Sequence, residues 1–171
     1  MKKINYIRLT LILVFFISLI YAKKSQAQIQ SMAGPRIGVT LLGAGETADW
    51  LTSQDGAPSS IMTQYGWQWE SRFADGGDIS GLVEWVLLVG GMERGKFLPS
   101  ISSLVGFRNG EGFEMGAGPS LSAGGIGMVF GLGFTATSGK LNLPINFVFS
   151  PKKDYSGAAF SILVGFNLGK N

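Results

Sequence analysis

The sequence predicts an all-β chain, an eight-stranded antiparallel up-and-down transmembrane β-barrel, and three observations predict it. Beyond residue 62, apolar residues alternate with polar or small ones in stretches long enough for a tilted strand to cross a bilayer. Turn residues cut that alternation into short segments, and an export signal precedes them. Tyr65-Gly66-Trp67-Gln68-Trp69-Glu70-Ser71-Arg72-Phe73 carries the clearest copy of the pattern. Because successive strand residues point to opposite faces, its aromatic residues go one way and Gln68, Glu70 and Arg72 the other.

The export signal occupies residues 1–27. Lys2, Lys3 and Arg8 form a positive start, the apolar run 9–22 follows, and Ser25-Gln26-Ala27 offers small residues for cleavage after Ala27. The run is shorter than the roughly twenty residues a helix needs to span a bilayer, so a cleaved signal is expected over a retained anchor. Cleavage removes five of the fourteen Lys and Arg residues and leaves nine basic against eleven acidic ones, a formal net of −2. The positive charge of the whole chain therefore belongs to the signal and argues against a nucleic-acid partner. With no Cys, the chain has no disulfide, thiol catalysis, thiolate metal site or lipobox.

Residues 28–171 are expected to form a single barrel domain. Eight strands are expected over residues 35–43, 62–73, 79–90, 96–108, 112–121, 126–136, 140–150 and 158–168. Asp75-Gly76-Gly77-Asp78, Gly90-Gly91, Asn109-Gly110, Gly124-Gly125, Ser138-Gly139 and residues 151–157 supply the turns. An even number of strands lets the first and last meet antiparallel, leaving no open edge.

One face of these strands collects Ile37, Val39, Leu41, Trp85, Phe107, Phe130, Phe147, Phe160 and their alternating neighbours. The other collects Arg36, Gln68, Glu70, Arg72, Glu84, Arg108, Glu114, Asn142 and Asn146 with many glycines. Small and polar residues suit the narrow interior of an eight-stranded barrel. The rival arrangement, a soluble periplasmic or secreted lipid-binding barrel, needs the aromatic face inside. About five large apolar residues from each strand would overfill such an interior.

The connections near residues 44–61, 91–95, 122–125 and 151–157 alternate with tight turns, as expected if the former face outward and the N-terminus lies in the periplasm. Within the longest, Glu46-Thr47-Ala48-Asp49-Trp50-Leu51 reads as a short helical lid packing Trp50 and Leu51 onto the rim. Lys152-Lys153-Asp154 reads as a solvated turn.

Catalysis finds no footing. The absence of His removes the commonest general base and every His-dependent triad or zinc site. Ser150-Pro151-Lys152-Lys153 fits S-x-x-K by letters alone, and Gly125-Ile126-Gly127-Met128-Val129-Phe130-Gly131 departs from nucleotide-loop spacing. No enzyme activity, catalytic residue, cofactor site or metal site is predicted.

The polar residues of the inner face are instead expected to form a structural network: Gln68, Glu70, Arg72, Glu84, Arg108, Glu114, Asn142 and Asn146. Buried charges without partners are costly, so these should pair and plug the lumen. Tyr65, Trp67, Trp69 and Trp85 are expected at the lipid interfaces, the usual position of aromatic girdles.

The segments 64–70, 84–91, Asn142-Leu143-Pro144-Ile145-Asn146 and Leu163-Val164-Gly165-Phe166-Asn167 resemble uncharacterised bacterial outer-membrane β-barrel proteins of the small eight-stranded type. The resemblance spans most of the exported chain and carries strand patterns without a catalytic signature. It implies an outer-membrane location, with outer-membrane lipids and lipopolysaccharide as surroundings and the barrel-assembly machinery as a partner in biogenesis. A structural, adhesion or envelope-integrity role is the expectation.

Overall fold

The computed structural model describes residues 31–52, 60–139 and 141–169; the expected signal segment lies outside them. The strands are β1 (Ser31–Leu42), β2 (Ile61–Asp75), β3 (Ile79–Gly90), β4 (Leu98–Asn109), β5 (Phe113–Ser122), β6 (Gly125–Ser138), β7 (Leu141–Ser150), β8 (Ala159–Gly165) and β9 (Asn167–Gly169). A short helix, α1 (Glu46–Thr52), follows β1, and a 3-10 turn, Met92–Arg94, follows β3. Each strand from β1 to β7 pairs antiparallel with the next, and β1 also pairs with β8 and β9, which closes the barrel.

The last staves, β8 and β9, are one strand in all but hydrogen bonding. Arg36 faces Gly165 and Ala33 faces Leu168, three residues further along both chains, so the register does not slip. Asn146 with Leu163 and Asn142 with Asn167 keep the same constancy on the β7 side. Extending these registers puts Pro35 beside Phe166 and Pro144 beside Gly165. A proline has no N–H to give to the ladder, which accounts for the interruption at Phe166.

The side chains sort as the alternation requires. Ile37, Trp67, Trp85, Phe107, Phe130, Phe147 and Phe160 are all exposed on the outer face, and their alternating neighbours are exposed or half-buried. A contiguous apolar surface of that extent far exceeds the few hundred Å² typical of soluble monomers. The aromatic face is therefore outside, opposite to what a soluble lipid-binding barrel requires. The inner face buries Arg36, Gln68, Glu70, Arg108 and Glu114.

Glycine makes the narrow barrel possible at a few places where one strand's carbonyls press on the next. A Cβ on Gly118 would stand 1.8 Å from the Ser103 carbonyl oxygen, and one on Gly66 would stand 1.9 Å from that of Leu87. Gly131 is different, because its nearest neighbour would be the Leu104 methyl group at 3.4 Å.

The end carrying the longer connections is capped by α1. Leu51 is wholly buried and packs with Ala48, Leu42, Met62 and Leu98. Trp50 stays half exposed, with the Lys96 ammonium 4.3 Å from its ring centroid. Thr47 fastens the helix to the 151–157 connection by donating its N–H and its hydroxyl to the Tyr155 carbonyl. The expected lid thus forms, with Leu51 as its inward anchor and Trp50 turned outward. On the same rim the Glu93 carboxylate accepts the Thr63 N–H at 2.9 Å and its hydroxyl at 2.5 Å. Partial burial alone would raise the Glu93 pKa; these hydrogen bonds outweigh it and hold the carboxyl below its usual range.

Gly118→Ala should destabilise the barrel by about 1–3 kcal/mol, the typical cost of forced overpacking, while Gly131→Ala leaves it nearly unchanged. Urea unfolding midpoints of refolded protein check this, and equal losses for both variants would contradict the close-approach assignment.

Candidate functional site: the barrel lumen

The inward side chains are stacked in three layers. Nearest the tight turns, Arg108 from the end of β4 joins Glu70 of β2 to Glu114 of β5. Its two terminal nitrogens donate to the two Glu70 oxygens at 2.6 Å each, and its Nε donates to Glu114 Oε2 at 3.0 Å. Thr135 donates its hydroxyl to the other Glu114 oxygen at 2.9 Å, and Asn146 Nδ2 approaches that oxygen at 3.4 Å. Bidentate, buried pairing of this kind fixes geometry as well as charge.

A second branch runs through an amide. Arg36 Nε donates to Gln68 Oε1 at 2.9 Å, and Gln68 Nε2 donates to Glu84 Oε1 at 2.9 Å. The Arg36 Nη1 also donates to Asn167 Oδ1 and to the Pro35 carbonyl, both at 2.9 Å. Gln68 thus relays a guanidinium to a carboxylate that it does not touch. Two guanidiniums and three carboxylates share this layer, and Glu70, Glu84 and Glu114 each bring an oxygen within 4.8 Å of the others. That spacing suits a metal ion, but Arg108 already engages Glu70 and Glu114, so the group reads as an ion-pair network.

Above the network lies an apolar waist. Leu88 of β3, Leu104 of β4, Val129 of β6 and Leu163 of β8 all point inward and are buried. The waist separates a cavity of about 60 Å³, lined by Gln68, Glu84, Ser102, Glu114 and Asn146, from one of about 110 Å³ nearer the helix. The upper cavity is lined by hydroxyls, including Thr40, Ser100, Ser120, Ser122 and Ser161, together with Gln64 and Lys153. Lys153 therefore does not sit in a solvated turn. It folds into the mouth, where its ammonium donates to Ser120 Oγ and Ser122 Oγ at 3.2 Å each.

Of the residues expected to form the lumenal network, Gln68, Glu70, Glu84, Arg108, Glu114 and Asn146 come together. Arg72 does not join them: it lies near the end of β2 and pairs along its own strand, across a bulge, with Asp75 at 3.5 Å. Asn142 is also at the turn end, where it accepts the Thr137 hydroxyl at 2.9 Å and points its Nδ2 at the Met32 sulfur. Arg36 and Asn167 are network members that the expected set lacked. Asn167 shares the inward parity of Leu163 and Gly165, which is the signal that finds it.

Tyr65, Trp67, Trp69 and Trp85 are exposed on the outer face; Trp67, Trp69 and Trp85 lie near the middle of their strands, while Tyr65 faces Val89 near the helix end of β3. Trp67 and Trp69 flank Gln68, the midpoint of β2, and Trp69 faces Trp85 across the β2–β3 ladder. Alternation specifies the face of a strand residue and is silent about its depth. Trp50, Phe97 and Tyr155 are exposed at the helix end, where they line a shallow groove with Glu46 and Thr47.

Arg108→Met should cost about 3–5 kcal/mol by leaving Glu70 and Glu114 buried without their partner. Arg72→Met removes a rim pair worth about 0–1 kcal/mol. Denaturant unfolding distinguishes them; comparable losses would contradict the placement of Arg108, and adding Glu70→Gln and Glu114→Gln to Arg108→Met should recover much of its loss.

Comparison of the sequence with protein-family profiles and with curated proteins gives no match. Among solved structures, the chain is similar to a de novo designed transmembrane β-barrel, at 12% identity and a TM-score of 0.50 over 82% of this chain and 95% of that one. The Yersinia pestis outer membrane protein Ail in a phospholipid nanodisc aligns at 12% identity and a TM-score of 0.45, covering 82% of this chain and 99% of that one. The closed eight-strand ladder, the apolar exterior and the likeness to the designed barrel agree on one fold: a small up-and-down transmembrane β-barrel.

Proposed function

We propose that the chain is a small outer-membrane barrel with a structural, adhesion or envelope-integrity role and a lumen plugged by polar and charged side chains against passage of solutes through it. The observation that carries this reading is the filling of the lumen. A charge network at the turn end, an apolar waist and the Leu51 cap occupy the interior at successive heights, which supports a plugged lumen. Eight strands leave little room for anything wider.

The uninterrupted apolar exterior supports residence in a bilayer. The proposed route there is export behind the cleaved segment 1–27, followed by insertion through the barrel-assembly machinery. Outer-membrane lipids and lipopolysaccharide would then be the molecules around the belt. The aromatic groove of Trp50, Phe97 and Tyr155 supports a contact or adhesion role for the helix end, since three exposed aromatic side chains gather there outside the strands. The inward carboxylates are engaged by arginine and amide groups, which supports a structural role for the layer at the turn end.

Two measurements test the proposal. On cell fractionation the protein should pellet with the outer membrane and shift in gel mobility on heating; recovery in the soluble periplasm would overturn it. In planar bilayers the reconstituted protein should show no steady conductance, and large stable currents would contradict the closed lumen.

A further inference from the structure

The upper lumenal cavity has a chemistry distinct from the charge network below the waist. Its one charged group is the Lys153 ammonium, and no carboxylate lines it among the described residues. Lys153 reaches it because Gly127 leaves room for the side chain: a Cβ at Gly127 would stand 3.0 Å from Lys153 Cγ and 3.1 Å from Cε. The backbone around the lysine is fastened, with Lys153 N–H donating to the Ser156 carbonyl and Tyr155 N–H to that of Gly124. The lysine is thus held in the mouth by its own connection and by the strand beneath it.

The hydrogen bonds then leave a set of donors unspent. Lys153 gives two of its three hydrogens to Ser120 and Ser122. Ser122 passes its own hydrogen to the Gly125 carbonyl at 3.3 Å, which satisfies it. Buried Ser120 accepts from the ammonium, so its hydroxyl hydrogen must point elsewhere. Across the cavity, Thr40 donates to Gln64 Oε1 at 2.6 Å, which leaves the Gln64 amide hydrogens as donors. A third ammonium hydrogen, the Ser120 hydroxyl and the Gln64 amide therefore border a space of about 110 Å³ that supplies no counter-charge.

We propose that this cavity is an oxyanion site, in which Lys153, Ser120 and Gln64 take a phosphate or sulfate group entering from the helix end. The cation, the excess of donors and the missing carboxylate all select for a compact anion over a cation or an apolar chain. The waist of Leu88, Val129 and Leu163 separates the site from the carboxylates beneath, so occupancy needs no passage through the barrel. Burial holds the Lys153 ammonium below the usual lysine range, and a bound anion would raise it again.

The test follows the Lys153 side-chain amine by NMR in the full barrel, refolded in an uncharged detergent and titrated with inorganic phosphate up to ~10 mM, which reaches weak millimolar affinity. Saturable shifts with a rise in the Lys153 pKa are expected. Lys153→Gln should abolish phosphate binding at unchanged heat-modifiability, and Ser120→Ala should weaken it about tenfold, as loss of one charge-assisted hydrogen bond would. In a parallel arm, phosphatidylglycerol replaces phosphate. A response to phosphate assigns a free-anion site, and a response to the lipid alone assigns a headgroup site. No saturable shift in either arm, or binding that survives Lys153→Gln, would overturn the proposal.

Discussion

Everything in this molecule depends on the closure of the backbone ladder between β1 and β8. A strand in hydrocarbon has no water to satisfy its N–H and C=O groups, so an open edge is untenable and the sheet must return on itself. Eight strands do so with a very small circumference, and the inside of the barrel then has room for only part of each side chain set. The glycines at 66 and 118 are consequences of that tightness, since any Cβ there would meet a neighbouring carbonyl. The last strand tolerates Pro35 on its β1 side and Pro144 on its β7 side because both registers continue past the missing donors to Leu168 and Asn167.

Closure also determines how the interior is filled. A space too narrow for a water column must be packed or its polar groups must satisfy one another. Both solutions are present at different heights. Arg108 and Arg36 occupy the turn end with three carboxylates, Leu88, Leu104, Val129 and Leu163 fill the middle, and hydroxyls with Lys153 line the mouth beneath Leu51. The Gln68 amide is the hinge of this arrangement, because it carries the Arg36 charge toward Glu84 without direct contact.

Much of this was legible in the sequence, for a reason peculiar to barrels. Period-two alternation separates the two faces of every strand, so the outward aromatic residues and the inward Glu70, Arg108 and Glu114 follow from parity alone. The short turns gave the strand order and most strand limits to within a few residues. Parity also turns Leu88, Leu104, Val129 and Leu163 inward, but it does not say that they meet at one height, and the waist went unread for that reason. Depth is equally invisible, which is why Trp67, Trp69 and Trp85 were expected at the rims while the ladder puts them at mid-height. Lys153 was misread because a basic turn is ordinarily solvated, and only the three-dimensional approach to Gly127 and Ser120 draws it inward. Arg72 shows the converse: its parity is inward, but at the end of β2 the rim offers Asp75 before the lumen offers Glu70.

The sorting of aromatic residues toward lipid at mid-height is the claim on which the rest stands, and the four tryptophans report on it without any substitution. Tryptophan fluorescence should be recorded from protein reconstituted in bilayers whose lipids carry bromine near the ends of their acyl chains. Strong quenching is predicted, because Trp67, Trp69 and Trp85 lie on the outer face at the middle of the belt, with residual emission from Trp50 at the helix end. Emission indifferent to the brominated lipid and removed by an aqueous quencher would contradict both the orientation of the barrel wall and its place in the membrane.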